Sequence, residues 1–313
     1  MSTAPFPVSP ELTAIAIAYR NPAHVLIADK VMPRLSTPVG KREFKYLEYD
    51  LAQSYTVPDT LVGRKGRPNE VDWSASDKTA SVDDHALDEP IPLDDIEQGK
   101  KEGMDVRGTT VEYLTNLILL AREVRVATLA NDPASYAASN RLVLSGNDQF
   151  SNTASDPVNV LQDMLSKPII RPNVMNMGVA VWTKLRTHPK IVKAIYPGSE
   201  GGMITREQFR ELFELTEFNV GEGFFNTARK GQAPNMQRAW GPHISAHFRD
   251  ATATNRHGVT WGLTVPYGTR ISGSKPDSNI GMRGGERVRV GESLKELVCA
   301  KDVGILIQNA VAI

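Results

Sequence analysis

The chain has 313 residues, 41% of them hydrophobic, with 36 basic side chains, 36 acidic ones and a single cysteine. That length holds about two domains, and the even charge balance argues against a protein whose whole surface grips a polyanion. A lone cysteine excludes an internal disulfide framework, no apolar run approaches the roughly 18 residues of a membrane helix, and the first residues lack the basic start of a secretory signal, so a soluble protein made in a cytoplasm is expected.

Residues 1–42 carry six prolines, and Arg20, Lys30, Arg34, Lys41 and Arg42 outnumber Glu11 and Asp29. With helical texture confined to Glu11 to Tyr19, this opening reads as a basic arm laid over other surfaces. Glu43 to Asp50 alternates as a strand. A turn-rich stretch follows through Gly63-Arg64-Lys65-Gly66-Arg67-Pro68, and Lys78 to Pro92 is extended and acidic. Between Val71 and Asp105 there are eleven acids and three bases. Residues 43–92 therefore read as a projecting hairpin with a basic tip (Arg64, Lys65, Arg67) and an acidic return limb. A hairpin with so little core is marginal alone and is expected to rest on a neighbour.

Thr109-Thr110-Val111-Glu112 has the form of a capping box, in which Thr109 accepts from the amide three residues on and Glu112 reaches back. Val111, Leu114, Leu117, Ile118, Ala121 and Val124 then recur at helical spacing up to Asn131-Asp132-Pro133, predicting a spine helix over 109–131, about 33 Å long. Asp156-Pro157 announces a helix over 158–166. Arg171 to Gly178 reads as a strand into a turn, Val179 to His188 and Thr205 to Leu215 as helices. The last hundred residues read as short strands at 218–225, 244–248, 259–265, 287–290 and 304–309. Strands and helices without a βαβ rhythm mean an α+β fold.

The chemical motifs are weak. His243 and His247 have the spacing of two zinc ligands on a helix, but their surroundings read as a strand, where residues four apart stand about 13 Å apart. Gly221-Glu222-Gly223 lacks the third glycine of a dinucleotide fingerprint, since Asn226 stands there; a turn is the better reading. Gly281, Gly284 and Gly285 form a flexible loop beside Arg283 and Arg287. Asp83-Asp84 and Asp94-Asp95 could hold a hard cation, but neighbours on an extended chain point to opposite faces. Cys299 lies in an apolar run and is expected to be buried. No cofactor, metal site or catalytic group is assigned, and no enzyme activity is expected.

The order of these parts resembles the Hong Kong 97-type fold of tailed-bacteriophage major capsid proteins. The likeness is carried most by Arg171-Pro-Asn-Val-Met-Asn-Met-Gly-Val-Ala-Val-Trp-Thr-Lys-Leu-Arg-Thr-His188. It implies an N-terminal arm (1–42), an extended hairpin loop (43–92), a peripheral domain (93–170 and 296–313) and an axial domain (171–295). Thr109, Glu112, Leu114, Leu117, Ile118 and Val124 would form the spine. It further implies an icosahedral virion shell of hexamers and pentamers, assembled in the host cytoplasm around double-stranded DNA held without sequence readout. Portal and decoration proteins are possible partners, no membrane is involved, and a separate scaffolding protein is implied because no long charged extension precedes the arm. Arg64, Lys65 and Arg67 could then meet Asp83, Asp84, Asp94 and Asp95 across subunits. An encapsulin-type compartment shell shares this fold and stays open at this point, as does, from another class, a soluble hydrolase using His243, His247 or His257.

Overall fold

The computed structural model describes residues 6–21, 26–48, 55–71, 76–199, 201–229, 231–254 and 257–312. The arm opens with helix α1 (Pro10–Ala18), capped by the Ser9 hydroxyl, and a single turn α2 (Ala28–Val31). Strands β1 (Glu43–Glu48) and β2 (Ser76–Ser81) pair antiparallel and form the base of the hairpin loop. Strand β3 (Asp83–Pro92) and helix α3 (Leu93–Lys101) lead into the spine, α4 (Val106–Asn131). Strand β4 (Arg141–Val143), helix α5 (Pro157–Ser166), strand β5 (Val174–Gly178) and helices α6 (Val179–Leu185), α7 (Pro189–Ile195) and α8 (Arg206–Leu212) follow. The remainder is β6 (Glu217–Gly221), β7 (Phe224–Asn226), β8 (Met236–Arg238), β9 (Ile244–His247), the long strands β10 (Gly262–Asp277) and β11 (Gly285–Val298), and β12 (Gly304–Gln308).

Two sheets organise these elements. The five-stranded sheet runs β4-β12-β9-β5-β6, and its period-two alternation builds two different faces. Met175, Met177, Val220, Ile244, Ala246, Ile305 and Ile307 point into a core closed by α5, α6, α7 and α8. The intervening residues Asn176, Asn219, Ser245, His247 and Leu306 are buried on the opposite side, beneath Tyr136 and Trp261. The second sheet runs β10-β11-β3. Arm residues 33–39 run along the otherwise open edge of β10, with Leu35 and Val39 amides donating to Thr264 and Pro266 carbonyls. Covering that edge removes a row of unpaired backbone groups.

The spine joins the two cores. Val111, Leu114 and Ile118 pack with Leu12, Ala16, Ile91, Val288 and Val290 against the long ribbon. Val126, Ala127 and Ala130 pack with Tyr136, Trp240, Trp261 and Leu306 against the five-stranded sheet.

Several expectations are corrected. The spine starts one turn before Thr109: the Asp105 carboxylate accepts from the Gly108 amide at 3.0 Å, while Thr109 donates its hydroxyl back to the Asp105 carbonyl and Glu112 is exposed. Gly108 leaves room for that carboxylate, since a Cβ there would crowd Asp105 Oδ2. The buried stripe is also rotated. Leu117 and Val124 are half-buried and Ala121 is exposed, whereas Thr115, Arg122 and Glu123 are buried. The return limb of the hairpin is Ser76–Ser81 alone; Asp83–Pro92 turns away at Val82 and pairs with β11. The strands expected at 259–265 and 287–290 fall largely within a ribbon whose two strands are 16 and 14 residues long, and whose turn holds Gly281 and Gly284 at positive φ. This ribbon, placed in the axial domain by sequence, packs on the first half of the spine, and β12, expected in the peripheral domain, lies inside the five-stranded sheet. Helix α3 was not foreseen, because its Asp94, Asp95 and Glu97 counted only toward the acidic run between Val71 and Asp105.

Burial separates the two neighbouring spine residues. Ile118→Ala should cost about 2–5 kcal/mol in chemical denaturation, the range for a buried aliphatic truncation, and Leu117→Ala markedly less. Equal losses would contradict the rotated stripe.

Candidate functional site

Where the arm crosses the middle of the spine, between the two apolar cores, lies a cluster of buried charges. Glu123 has no accessible surface. The Ile27 amide and the Trp240 indole donate to its Oε1 at 3.0 and 2.6 Å, and the Ala28 amide to its Oε2 at 2.7 Å. One carboxylate thus satisfies the amides that open α2 and joins the arm, the spine and the loop before β9. Burial pushes the Glu123 carboxyl above its ordinary value, against the opposing pull of these three donors.

Arg122, also buried, donates to Asp29 Oδ1 at 2.5 Å, to the Met32 carbonyl at 3.0 Å and to Thr264 Oγ1 at 3.1 Å. Glu292 on β11 is gripped from both sides. Arg34 of the arm forms a fork at 2.9 and 3.3 Å, and Arg270 donates at 2.8 and 3.2 Å while also reaching the Ala16 carbonyl. Burial draws Glu292 upward, but the two guanidinium groups outweigh it and hold the carboxyl below its usual range. Arg270 stands in the irregularity between Tyr267 and Ile271, where the ribbon register shifts. The cluster therefore locks the arm onto the spine and onto the bend of the ribbon. Arg122 and Glu292 are paired with opposite charges and Glu123 is held by three neutral donors, since a buried charge persists away from water only when it is paired or hydrogen-bonded.

Sequence reasoning missed these residues because it scored charge as exposure. A signal was present: Arg122 and Glu123 lie four residues after Ile118 and Leu119 and four before Val126 and Ala127. A charged pair inside an apolar helical stripe needs partners.

The residues singled out at the loop behave differently from one another. Every described residue from Tyr55 to Val71 is exposed, including Arg64, Lys65 and Arg67, and Val57 and Leu61 are 92% and 85% exposed. Among the described residues, no ion-pair partner meets the three tip cations. The acids expected to face them have partners within the chain: Asp83 with Lys295, Asp84 with Arg42 and Ser293, and Asp94 with Arg283. Asp95 is exposed on the first turn of α3. The structure thus does not bring the tip and these acids together within one subunit.

His247 is buried flat against Trp261, which pushes its pKa down to about 3, and His243 accepts from the Asn309 amide. Among the described residues, no group of three or more His, Cys, Asp or Glu is arranged to hold a metal, and no helix is long and apolar enough to cross a membrane. Cys299 is buried, as its apolar run predicts.

No protein-family model matches the chain. It is 54% identical over its full length to the whole of a major capsid protein of Pseudomonas phage JBD67. A major capsid protein of Burkholderia phage BcepMu is 27% identical, with 96% of each chain covered. Among solved structures, a phage-related protein from Bordetella bronchiseptica superposes with a TM-score of 0.74 at 21% identity, over 98% of this chain and 99% of that one. The capsid structure of cyanophage P-SCSP1u superposes with a TM-score of 0.57 at 11% identity, over 91% and 88%. These likenesses place the α+β architecture in the Hong Kong 97-type capsid fold.

Proposed function

The chain belongs to the phage major capsid proteins, and from that premise we propose how it builds its shell. Its role is structural, as a repeated subunit of the virion capsid. The finer reading is an icosahedral head of hexamers and pentamers, assembled in the bacterial cytoplasm around double-stranded DNA, with a portal, a scaffolding protein and a decoration protein as further partners. In domain terms, the arm, the spine's first half and the ribbon make the peripheral body. The five-stranded sheet with α5 to α8 makes the axial body, and the loop based on β1 and β2 is the projecting element.

The exposure of residues 55–71 carries this reading. A segment that shows Val57, Leu61 and Val71 to water has no core of its own, and contact with a neighbouring copy removes that surface from water. The cations at its tip steer the approach. Because Asp83, Asp84 and Asp94 are already paired, the acids open to the tip of another subunit are those such as Asp95, Glu97 and Glu102 on and beside α3. Asp83, Asp84 and Asp94 would join only by exchanging their present partners.

The test is Arg64→Glu with Arg67→Glu. The subunit should melt at the wild-type temperature, while negative-stain microscopy at low salt shows few or aberrant shells. In the wild type, added salt should slow assembly, because exposed charges are screened. Normal shells from the double variant at low salt would remove the tip from the assembly mechanism. Absence of shells from the wild type would remove self-assembly itself.

A further inference from the structure

The 36 residues from Met164 to Ser199, between Asp163 and Glu200, contain no acid and six cations: Lys167, Arg171, Lys184, Arg186, Lys190 and Lys193. Two short helices in this run, α6 and α7, pack their apolar sides (Val181, Trp182, Leu185, Ile191, Val192) into the core on one face of the five-stranded sheet. Away from that core, Lys184, Lys190 and Lys193 are exposed.

Among the described residues, two of these six cations meet carboxylates in the chain, and Arg171 does so with Glu214 at 3.5 Å. Lys190 meets Asp156 at 3.4 Å. Arg186 lies over the Trp182 ring, 5.9 Å from its centroid, and its buried Nε has no acceptor. Among the described residues, its side chain has no hydrogen-bond or ion-pair partner. Arg107, Arg206, Arg249 and Arg289, by contrast, each meet a carboxylate in the same chain. A guanidinium held in place by an aromatic face, with its donors unspent, is arranged for an anion.

The surroundings decide what kind of anion. Within α6 and α7 no large apolar side chain is exposed, and Thr183, Thr187 and Ala194 lie between the cations; the exposed Ile169 and Tyr196 stand outside the two helices. A contact between copies would need an apolar centre, of the kind the loop shows at Val57 and Leu61. A phosphate backbone needs none, and point-charge lysines bind it without sequence readout.

We propose that the outer side of α6 and α7 is the surface on which the shell contacts the phosphate backbone of its packaged duplex DNA, with Lys184, Arg186 and Lys193 as the contacts. The proposal rests on the reading of the chain as the shell of a DNA genome, and it narrows a contact otherwise spread over scattered cations to one face.

The experiment measures binding of the full-length subunit to a fluorescein-labelled duplex of arbitrary sequence, by anisotropy from 50 to 200 mM salt. Lys184→Ala with Lys193→Ala should weaken binding at 50 mM about ten-fold and lower the salt slope by about two. Lys100→Ala with Lys101→Ala removes the same charge from α3 and should change neither. An unchanged affinity in the first variant, or an equal loss in the second, overturns the proposal. So does a first variant that binds DNA normally but forms no shells, since α6 and α7 would then be a contact between copies. Shells of the wild type are scored separately by microscopy, so a failure of the shell reading is told apart from a failure of DNA contact.

Discussion

Glu123→Ala should lower the unfolding free energy by about 3–5 kcal/mol, because it leaves several buried donors unmet. Three donors lose their acceptor at once: the Ile27 and Ala28 amides and the Trp240 indole. Each would be left in a region without water, and an unmet buried donor costs on the order of 1–3 kcal/mol. Glu123→Gln should recover part of the loss, because its amide oxygen still accepts while its NH2 opposes one of the donors. The loss should appear first in the arm. Hydrogen exchange at Ile27 and Ala28 should rise well before exchange at Val126 or Ala127, which the apolar core holds. A loss below about 1 kcal/mol in urea unfolding, or protection of Ile27 and Ala28 unchanged, would show that the carboxylate does not fasten the arm.

That expectation depends on a residue which sequence reasoning left aside, and the reason is physical. The spine was legible because Val111, Leu114 and Ile118 repeat at helical spacing and Pro133 follows its last turn. Its exact face was not. Leu117 and Val124 belong to an apolar stripe by type, but the helix turns Thr115, Arg122 and Glu123 inward, because the partners of Arg122 and Glu123 come from residues 27–32, about ninety positions away, and from Trp240 and Thr264, farther still. Pattern reading weighs a residue by its own hydropathy, and it cannot see a counter-charge delivered by a distant segment. The arm, conversely, was legible as an arm from its prolines, while the grip of Arg34 on Glu292 spans 258 positions.

The strands divide in the same way. β5, β9 and β12 are short and apolar and were found near their true positions. The ribbon was seen in fragments, because Pro266, Gly268, Gly273 and Pro276 interrupt β10 and arginine and glutamate alternate along β11. Those charges meet across strands: Arg289 with Asp88, Arg287 with Asp277, and Lys295 with Asp83. This is why the acids of β3, expected to await another subunit, are occupied at home. Family resemblance supplied the overall order of parts, but which segments pair within each sheet required the structure.

Glu292 should show the opposite dependence on pH from Glu123. Its folded carboxyl lies below the ordinary glutamate value of 4.5, so its ionised form is the one the fold favours. The stability it contributes is fully present above about pH 4.5 and is lost as pH falls through the folded value. Glu123 lies above that value, so its ionisation works against the fold, and its contribution declines as pH rises from about 4.5 through the folded value. Glu292→Gln leaves Arg270 and Arg34 facing a neutral amide. Arg270 is only 8% exposed, so water cannot take over the lost charge, and at pH 7 the variant should lose about 3–5 kcal/mol. In urea unfolding at successive pH values, the gap between wild type and Glu292→Gln should be constant from pH 7 to about pH 5 and shrink below about pH 4.5, as the wild-type carboxyl takes up its own proton. The arm should detach first, since Arg34 belongs to it, and limited proteolysis near Arg34 should therefore quicken in the variant at neutral pH. A gap that stays the same from pH 7 to pH 3 would mean that the carboxylate's charge does not hold the arm to the ribbon.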